Sequence, residues 1–176
     1  MQIIPIHIEK EIESSDDISK LIINSADLHD GDILVIAQKI ISKQEGRIID
    51  LSSVTPSLLA EGISSQYDKD PRIVELILSE SKRIVRMKNQ IIIVQTNHGF
   101  ICANAGVDES NVKNGYAILL PVDSDMSAKI IREKIKSNTD KNVAIIISDT
   151  FGRPFRMGQT NCAIGISGLS PLLDYA

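Results

Sequence analysis

Val143-Ala-Ile-Ile-Ile-Ser-Asp-Thr-Phe-Gly-Arg-Pro-Phe-Arg-Met-Gly-Gln-Thr-Asn161 decides how the rest of the chain is read. Val143 to Ile147 is apolar and mostly β-branched, the pattern of a strand buried on both faces. Gly152 and Pro154 then predict a stop, which places Ser148, Asp149 and Thr150 in a loop at the strand's C-terminal end. Open α/β sheets hold their ligands at that end. Asp149 and Thr150 offer hard oxygen ligands, and Arg153 and Arg156 offer paired N–H donors. Together they suit a metal-bound phosphate group. The plainer reading of these residues is a solvated loop with a structural Asp–Arg pair.

Working outward from this strand, Ile3 to Ile8 reads as a first strand, demoted by Pro5 to an edge or a short element. Ser14 to Asp17 supplies N-cap candidates for a helix with Ile18, Leu21, Ile22 and Ala26 on one face, ending near Leu28. Ile33 to Ala37 is a strand, and the segment after it closes at Gly46. Thr55-Pro56 and Asp70-Pro71 each set an N-cap residue before a proline at the first helical position. They open helices through Leu58, Leu59 and Ile63 and through Ile73, Val74, Ile77 and Leu78. Arg83 to Met87 and Ile91 to Gln95, joined at Asn89-Gln90, read as a hairpin. Phe100 to Asn104 and Tyr116 to Leu120 are further strands, and Ser124 caps a last helix with Ala128, Ile131 and Ile135 inward. The predicted class is α+β (mixed α/β), with mixed sheets, antiparallel hairpins and flanking helices.

The chain has 176 residues, of which 43% are hydrophobic. That is enough for one domain, or one and a lobe, with a substantial core, since a chain of this size buries roughly 70% of its unfolded surface. A net charge of −4 argues against a general nucleic-acid binder. The 3% aromatic content and lack of tryptophan disfavour base-stacking surfaces. No apolar run approaches the roughly 18 residues that cross a bilayer. The first residues carry no signal-peptide pattern, so no membrane is expected as a partner. Cys102 and Cys162 have no CxxC spacing, which fits a cytoplasmic, reducing setting. Gly165 to Ala176 is largely apolar, and it predicts a fold that continues past the last residue.

A second polar concentration runs from Asn97 to Asn111, where Asn104, Gly106, Asp108, Ser110 and Asn111 sit at the break of a strand. Asp108 is a candidate to share a divalent cation with Asp149, and oxygen ligands favour Mg²⁺ or Mn²⁺ over zinc. Asp and Asn are also ordinary turn residues. Lys39 and Lys43, four apart, share a face in either a helix or a strand and are candidates to meet one anion; a solvated basic face is the alternative. His98 has no second histidine at metal-ligand spacing and reads as a turn or packing residue. Neither GxxxxGK[ST] nor GxGxxG occurs, so a nucleotide would be held by a different arrangement.

Three motifs carry a family resemblance: Asp30 to Arg47, His98 to Asn111 and Ser148 to Asn161. In this order they resemble the coenzyme F420-0:γ-glutamyl ligases, and the likeness runs from Ile3 to the last residue. The resemblance implies a GTP-dependent acid–amino-acid ligase that adds L-glutamate to coenzyme F420-0 through an acyl phosphate. It also implies two Mg²⁺ or Mn²⁺ ions, K⁺, and a homodimer. Carried over by position, Asp108, Asp149 and Thr150 match metal ligands. Pro5, Ile6, His7, Ile8, Gln38, Lys39, Lys43 and Asn111 match GTP contacts. Asp149, Arg153 and Arg156 are the expected catalytic residues. Chains of the family continue beyond the position of Ala176, so residues 1–176 are expected to be the larger part of a longer ligase domain. Two other readings use the same residues: a metal-dependent phosphohydrolase, and a nucleotide- and metal-binding relative without catalysis.

Overall fold

The computed structural model describes residues 2–152 and 157–172. The chain divides into two compact units. The first comprises Met1–Gly46, Pro121–Asp149 and Asn161–Ala176; the second comprises Arg47–Leu120 and Thr150–Thr160.

In the first unit, α1 (Ile18–Ser25) starts where Asp17 accepts hydrogen bonds from the N–H groups of Ser19 and Lys20, satisfying donors that a helix start leaves open. β1 (Ile33–Ala37) runs directly into α2 (Gln38–Gln44). Two elements follow in the second unit, β2 (Ile48–Asp50) and α3 (Leu58–Tyr67). Its other elements are α4 (Pro71–Ser79), β3 (Ser81–Lys88), β4 (Ile91–Thr96), β5 (Ile101–Ala103) and β6 (Tyr116–Ile118). The chain then returns through α5 (Ser124–Thr139), β7 (Ala144–Gly152) and β8 (Gln159–Ser167).

β1, β7 and β8 form a mixed sheet in that order, with β1 parallel to β7. One face of β1 and β7 is buried through Leu34, Ile36, Ile145 and Ile147, together with Ile18, Ile22, Ile131 and Ile135 of the helices. On the other face of β1, Ile33 and Val35 are 59% and 66% exposed. The run from Val143 is therefore not buried on both sides: Ala144 and Ile146 are only half-buried, because β1 and β7 are covered on one face alone. β8 lies close against the start of α5. A Cβ on Gly165 would fall 2.4 Å from the Ser124 carbonyl carbon, and Ile166 N–H donates to Asp125 Oδ1 at 2.7 Å. Arg132 links α5 to the residue before β7 by donating from Nε to the Val143 carbonyl at 3.0 Å.

The core of the second unit joins Ile73, Val74 and Ile77 of α4 to Ile92 and Val94 of β4, with Ala60 and Ile63 of α3 against them. Each fully buried aliphatic side chain here contributes about 1.5–3 kcal/mol. Arg47 ties the unit together, pairing with Glu80 at 2.8 Å and donating from Nε to the Leu120 carbonyl at 3.0 Å. β3, β4 and β5 form an antiparallel sheet, and β2 pairs antiparallel with β6. The hairpin turn at Asn89-Gln90 has φ of +49° and +65°, the left-handed pair that matches strand twist. Register shifts between Ser81 and Arg83 and between Ile84 and Arg86 change the strand's period from two to three. Ser81, Ile84 and Met87 consequently all turn toward the core.

Several elements differ from the sequence reading. Ile3 to Ile8 forms no strand, and Ile3 and Ile4 are exposed; Pro5 removes a ladder donor in the middle of the segment. Helix α3 is capped by Ser57 rather than Thr55, and α5 by Asp123 rather than Ser124, because those side chains reach the N–H groups of Ala60 and Met126. Strand β7 does not stop after Ile147. It carries Ser148, Asp149 and Thr150 within a strand that ends at Gly152.

Candidate functional site

The parallel register sets Ala37 opposite Ser148. Gln38 and Lys39 therefore leave the sheet at the end where Asp149 extends β7, the carboxyl end of two parallel strands. Asp149 is half-buried there, and Thr150 is exposed. Sequence distance conceals this meeting, and the parallel pairing brings it about.

Helix α2 sorts its polar side chains by depth. Gln38 is buried, and its Oε1 accepts from Ser42 Oγ at 2.8 Å. Its amide oxygen is held inside the fold, so what it can give a ligand is its NH₂ group and its backbone. Lys39 is half-buried. Lys43, one turn on, is only 13% exposed, and its Nζ meets Glu11 Oε1 at 2.7 Å, where Glu11 itself is 77% exposed. A cation so held exchanges an exposed carboxylate for a phosphate at small cost, since the outer partner is already in water. Of the N-terminal candidates, Pro5 and His7 are exposed, while Ile6 and Ile8 are half-buried, and all four lie outside any helix or strand.

In the second unit, Asp108 bridges Ile118 through backbone hydrogen bonds in both directions, at 3.0 and 2.7 Å. Its carboxylate accepts from the N–H and the Oγ of Ser110, both at 2.8 Å, which fixes its rotamer beside exposed Asn111. The approach to Asp108 is unusual. Asn104, Ala105 and Gly106 have φ of +52°, +54° and +72° in succession. For Asn and Ala the left-handed region costs about 1–2 kcal/mol per residue, least for Asn. The turn is held by Ile92 N–H donating to Asn104 Oδ1 at 3.2 Å and by burial of Ala105.

Two of the three motifs also meet inside the second unit. Phe151, next to Thr150, packs edge-on against Phe100 with ring centroids 5.9 Å apart, and Phe100 stacks on His98 at 6.1 Å. Neither phenylalanine stood out in the sequence, because an isolated aromatic there gives no periodic signal. Glu11 gives no local signal either, since it lies 32 residues from the lysine it pairs with. Arg153 and Arg156 lie outside the described residues.

Asp108, Asp149 and Thr150 each offer oxygen donors, the type suited to Mg²⁺ or Mn²⁺. Among the described residues no three His, Cys, Asp or Glu side chains group as a ready metal cage. Such oxygen sets leave positions for water and substrate phosphates, as Mg²⁺ sites commonly do. Among the described residues no helix is long and apolar enough to cross a membrane.

Residues 7–176 match the family model described as F420-0:Gamma-glutamyl ligase. The chain is 44% identical over 174 residues to the coenzyme F420:L-glutamate ligase of Methanopyrus kandleri, covering 99% of this chain and 69% of that protein. It is 49% identical over 168 residues to the protein of that name from Methanothermobacter thermautotrophicus, covering 93% and 67%. For the Methanocaldococcus jannaschii protein of that name the identity is 49% over 147 residues, covering 84% and 59%. The chain thus spans roughly two thirds of the length of these relatives, and with a family model matched along nearly all of it, the chain belongs to the F420-0:γ-glutamyl ligase family.

Proposed function

We propose that this chain performs the ligase chemistry of its family in coenzyme F420 biosynthesis, joining L-glutamate to coenzyme F420-0 with GTP as co-substrate, in the cytoplasm and as a homodimer. The observation that carries this reading is the register of Ala37 with Ser148. It sets Gln38 and Lys39 beside the stretch of β7 that bears Asp149, so residues suited to a triphosphate leave the sheet next to a strand residue suited to its cation.

A carboxylate does not condense with an amine unaided, because hydroxide is too poor a leaving group. In the first step an oxygen of the acceptor carboxylate attacks the γ-phosphorus of GTP, the bond to the β-phosphate oxygen breaks, and GDP leaves. In the second step the glutamate amine attacks the acyl carbon, the carbon–oxygen bond to phosphate breaks, and the amine gives up a proton. Lys39 and Lys43 hold the triphosphate in line for the first step; Gln38, Asn111 and the Pro5-Ile6-His7-Ile8 segment complete the GTP contacts. Arg153 and Arg156 brace the transferring phosphoryl group. Asp149 and Thr150 on β7 and Asp108 on its bridge are the residues that would hold Mg²⁺ or Mn²⁺, two ions in all, with K⁺ as a further cofactor. When bound, the ions offset the charge on the phosphate oxygens.

The test is a mass spectrum of coenzyme F420-0 after incubation with the protein, GTP, Mn²⁺ and L-glutamate. The expected result is a mass gain of at least one glutamyl unit. The gain should disappear without GTP and with Asp149→Asn, while the variant unfolds at the same denaturant concentration as the parent. Equal product from Asp149→Asn refutes the site. GTP hydrolysis that ignores both glutamate and coenzyme F420-0 refutes the reaction in favour of a phosphohydrolase.

A further inference from the structure

No Asp or Glu occurs between Glu80 and Asp108, although the chain as a whole carries a net charge of −4. The β3–β4–β5 sheet lies inside that interval, and β3 contributes Lys82, Arg83, Arg86 and Lys88 to it. The two register shifts decide where these cations point. Ser81, Ile84 and Met87 pair with Thr96, Val94 and Ile92 on the buried face. Arg83, Arg86 and Lys88, opposite Gln95, Ile93 and Ile91, therefore fall together on the outer face. Their partners are two residues apart along β4, which spaces the cations by about 7 Å.

Arg83 donates to Gln95 Oε1 at 2.8 Å, a neutral acceptor. Among the described residues Lys82, Arg86 and Lys88 are in no ion pair. Ile91 and Ile101, each about half exposed, line the same outer face beyond the basic row. One charge is enough to keep an edge strand from pairing with another chain. Three in register, with no carboxylate on any strand of the sheet, repel one another until an anion lies across them.

The reaction proposed above makes such an anion. Each amide formed through the glutamate amine consumes one carboxylate and brings two, so the product is one charge more negative than the acceptor. Along a chain of glutamates linked through their side-chain carboxyls, the free carboxylates recur about every 6 Å by covalent geometry, close to the spacing of the cations. We propose that the outer face of the β3–β4–β5 sheet docks the glutamylated product through its carboxylates, an inference that rests on the reaction proposed above.

The test is isothermal titration at low salt with tri-γ-L-glutamate, and with α-linked triglutamate as a second arm. The parent is compared with Arg83→Gln/Arg86→Gln/Lys88→Gln and with Lys20→Gln/Lys129→Gln/Lys136→Gln, which removes the same charge from α1 and α5. The γ-linked oligomer should bind the parent more tightly than the α-linked one. The β3 variant should weaken binding at least about tenfold, and the α1/α5 variant by no more than about twofold. No binding, or equal loss in the two variants, overturns the docking surface. Equal or tighter binding of the α-linked oligomer overturns the product as occupant in favour of an acidic protein segment. Product formation is scored separately. A parent that forms product without binding the oligomer overturns this surface and leaves the reaction standing. One that binds the oligomer but forms no product overturns the reaction, and with it the product as occupant.

Discussion

Replacing Gly106 with alanine tests the turn that leads to Asp108. The residue has φ +72°, and a Cβ built there would lie 2.7, 2.8 and 2.9 Å from Leu120 Cγ, Cδ2 and Cδ1. Leu120 is 2% exposed and among the most deeply buried side chains, so it has little room to retreat. The left-handed φ costs an alanine about 1 kcal/mol, and forcing the methyl against Leu120 costs about 1–3 kcal/mol. Gly106→Ala should therefore destabilise by about 2–4 kcal/mol, read as a lower urea midpoint at unchanged m-value. Leu120→Ala alone should cost about 2–5 kcal/mol through the cavity it leaves. In the double variant the new methyl enters that cavity, so the two losses should fall short of additivity by about 1 kcal/mol or more. A Gly106→Ala loss below about 0.5 kcal/mol, or strict additivity in the double variant, would refute the steric argument.

Two other expectations follow from the ion pairs of the first unit. The Lys134 ammonium, with help from Ser19, pulls the Asp17 carboxyl from 3.8 down to about 2. In full that drop is worth about 2.4 kcal/mol, but the Asp17 side chain is 42% exposed, and screening reduces it to about 1 kcal/mol. A lowered carboxylate pKa stabilises the fold above pH 3.8, and the gain disappears as pH falls through about 2. Lys134→Met should accordingly flatten stability against pH between about 4 and 2 in acid titrations, and an unchanged acid limb would count against the pair. Glu11→Gln leaves Lys43 without its exposed carboxylate. GTP should then bind a few-fold more tightly at low salt, with the gain shrinking at high salt. Weaker binding would mean that Glu11 helps hold the nucleotide.

What the sequence revealed was local chemistry. Asp17 and Asp70 cap their helices as their side chains predict, Pro71 takes the first turn of α4, and Asn89-Gln90 reverses the hairpin. Each of these rests on groups a few residues apart. The rest depended on partners distant in sequence. Asp149 and Thr150 looked like loop residues because Gly152 and Pro154 follow them, yet β8 pairs with β7 and prolongs the strand. Ala105 carries no mark of left-handed backbone, and Asn104 only a mild tolerance of it; the turn is held by a bond to Ile92 and by burial. The meeting of Gln38 with the end of β7 follows from a parallel pairing between strands more than a hundred residues apart, for which no local pattern exists. Candidate residues were therefore legible by type, and their grouping was not.

The bulges in β3 also bear on how this segment can change over generations. At each bulge two residues on β3 oppose one on β4, so Lys82 and Val85 are the surplus members of their pairs. Losing Val85 would bring Ile84 and Arg86 into consecutive register with Val94 and Ile93, and neither side chain would change face. A regular strand has no such spare position, since one lost residue there turns every later side chain over. This strand can therefore absorb a codon deletion that would scramble its neighbour β4, and related chains are free to differ in length there while the Ile84 and Met87 contacts persist.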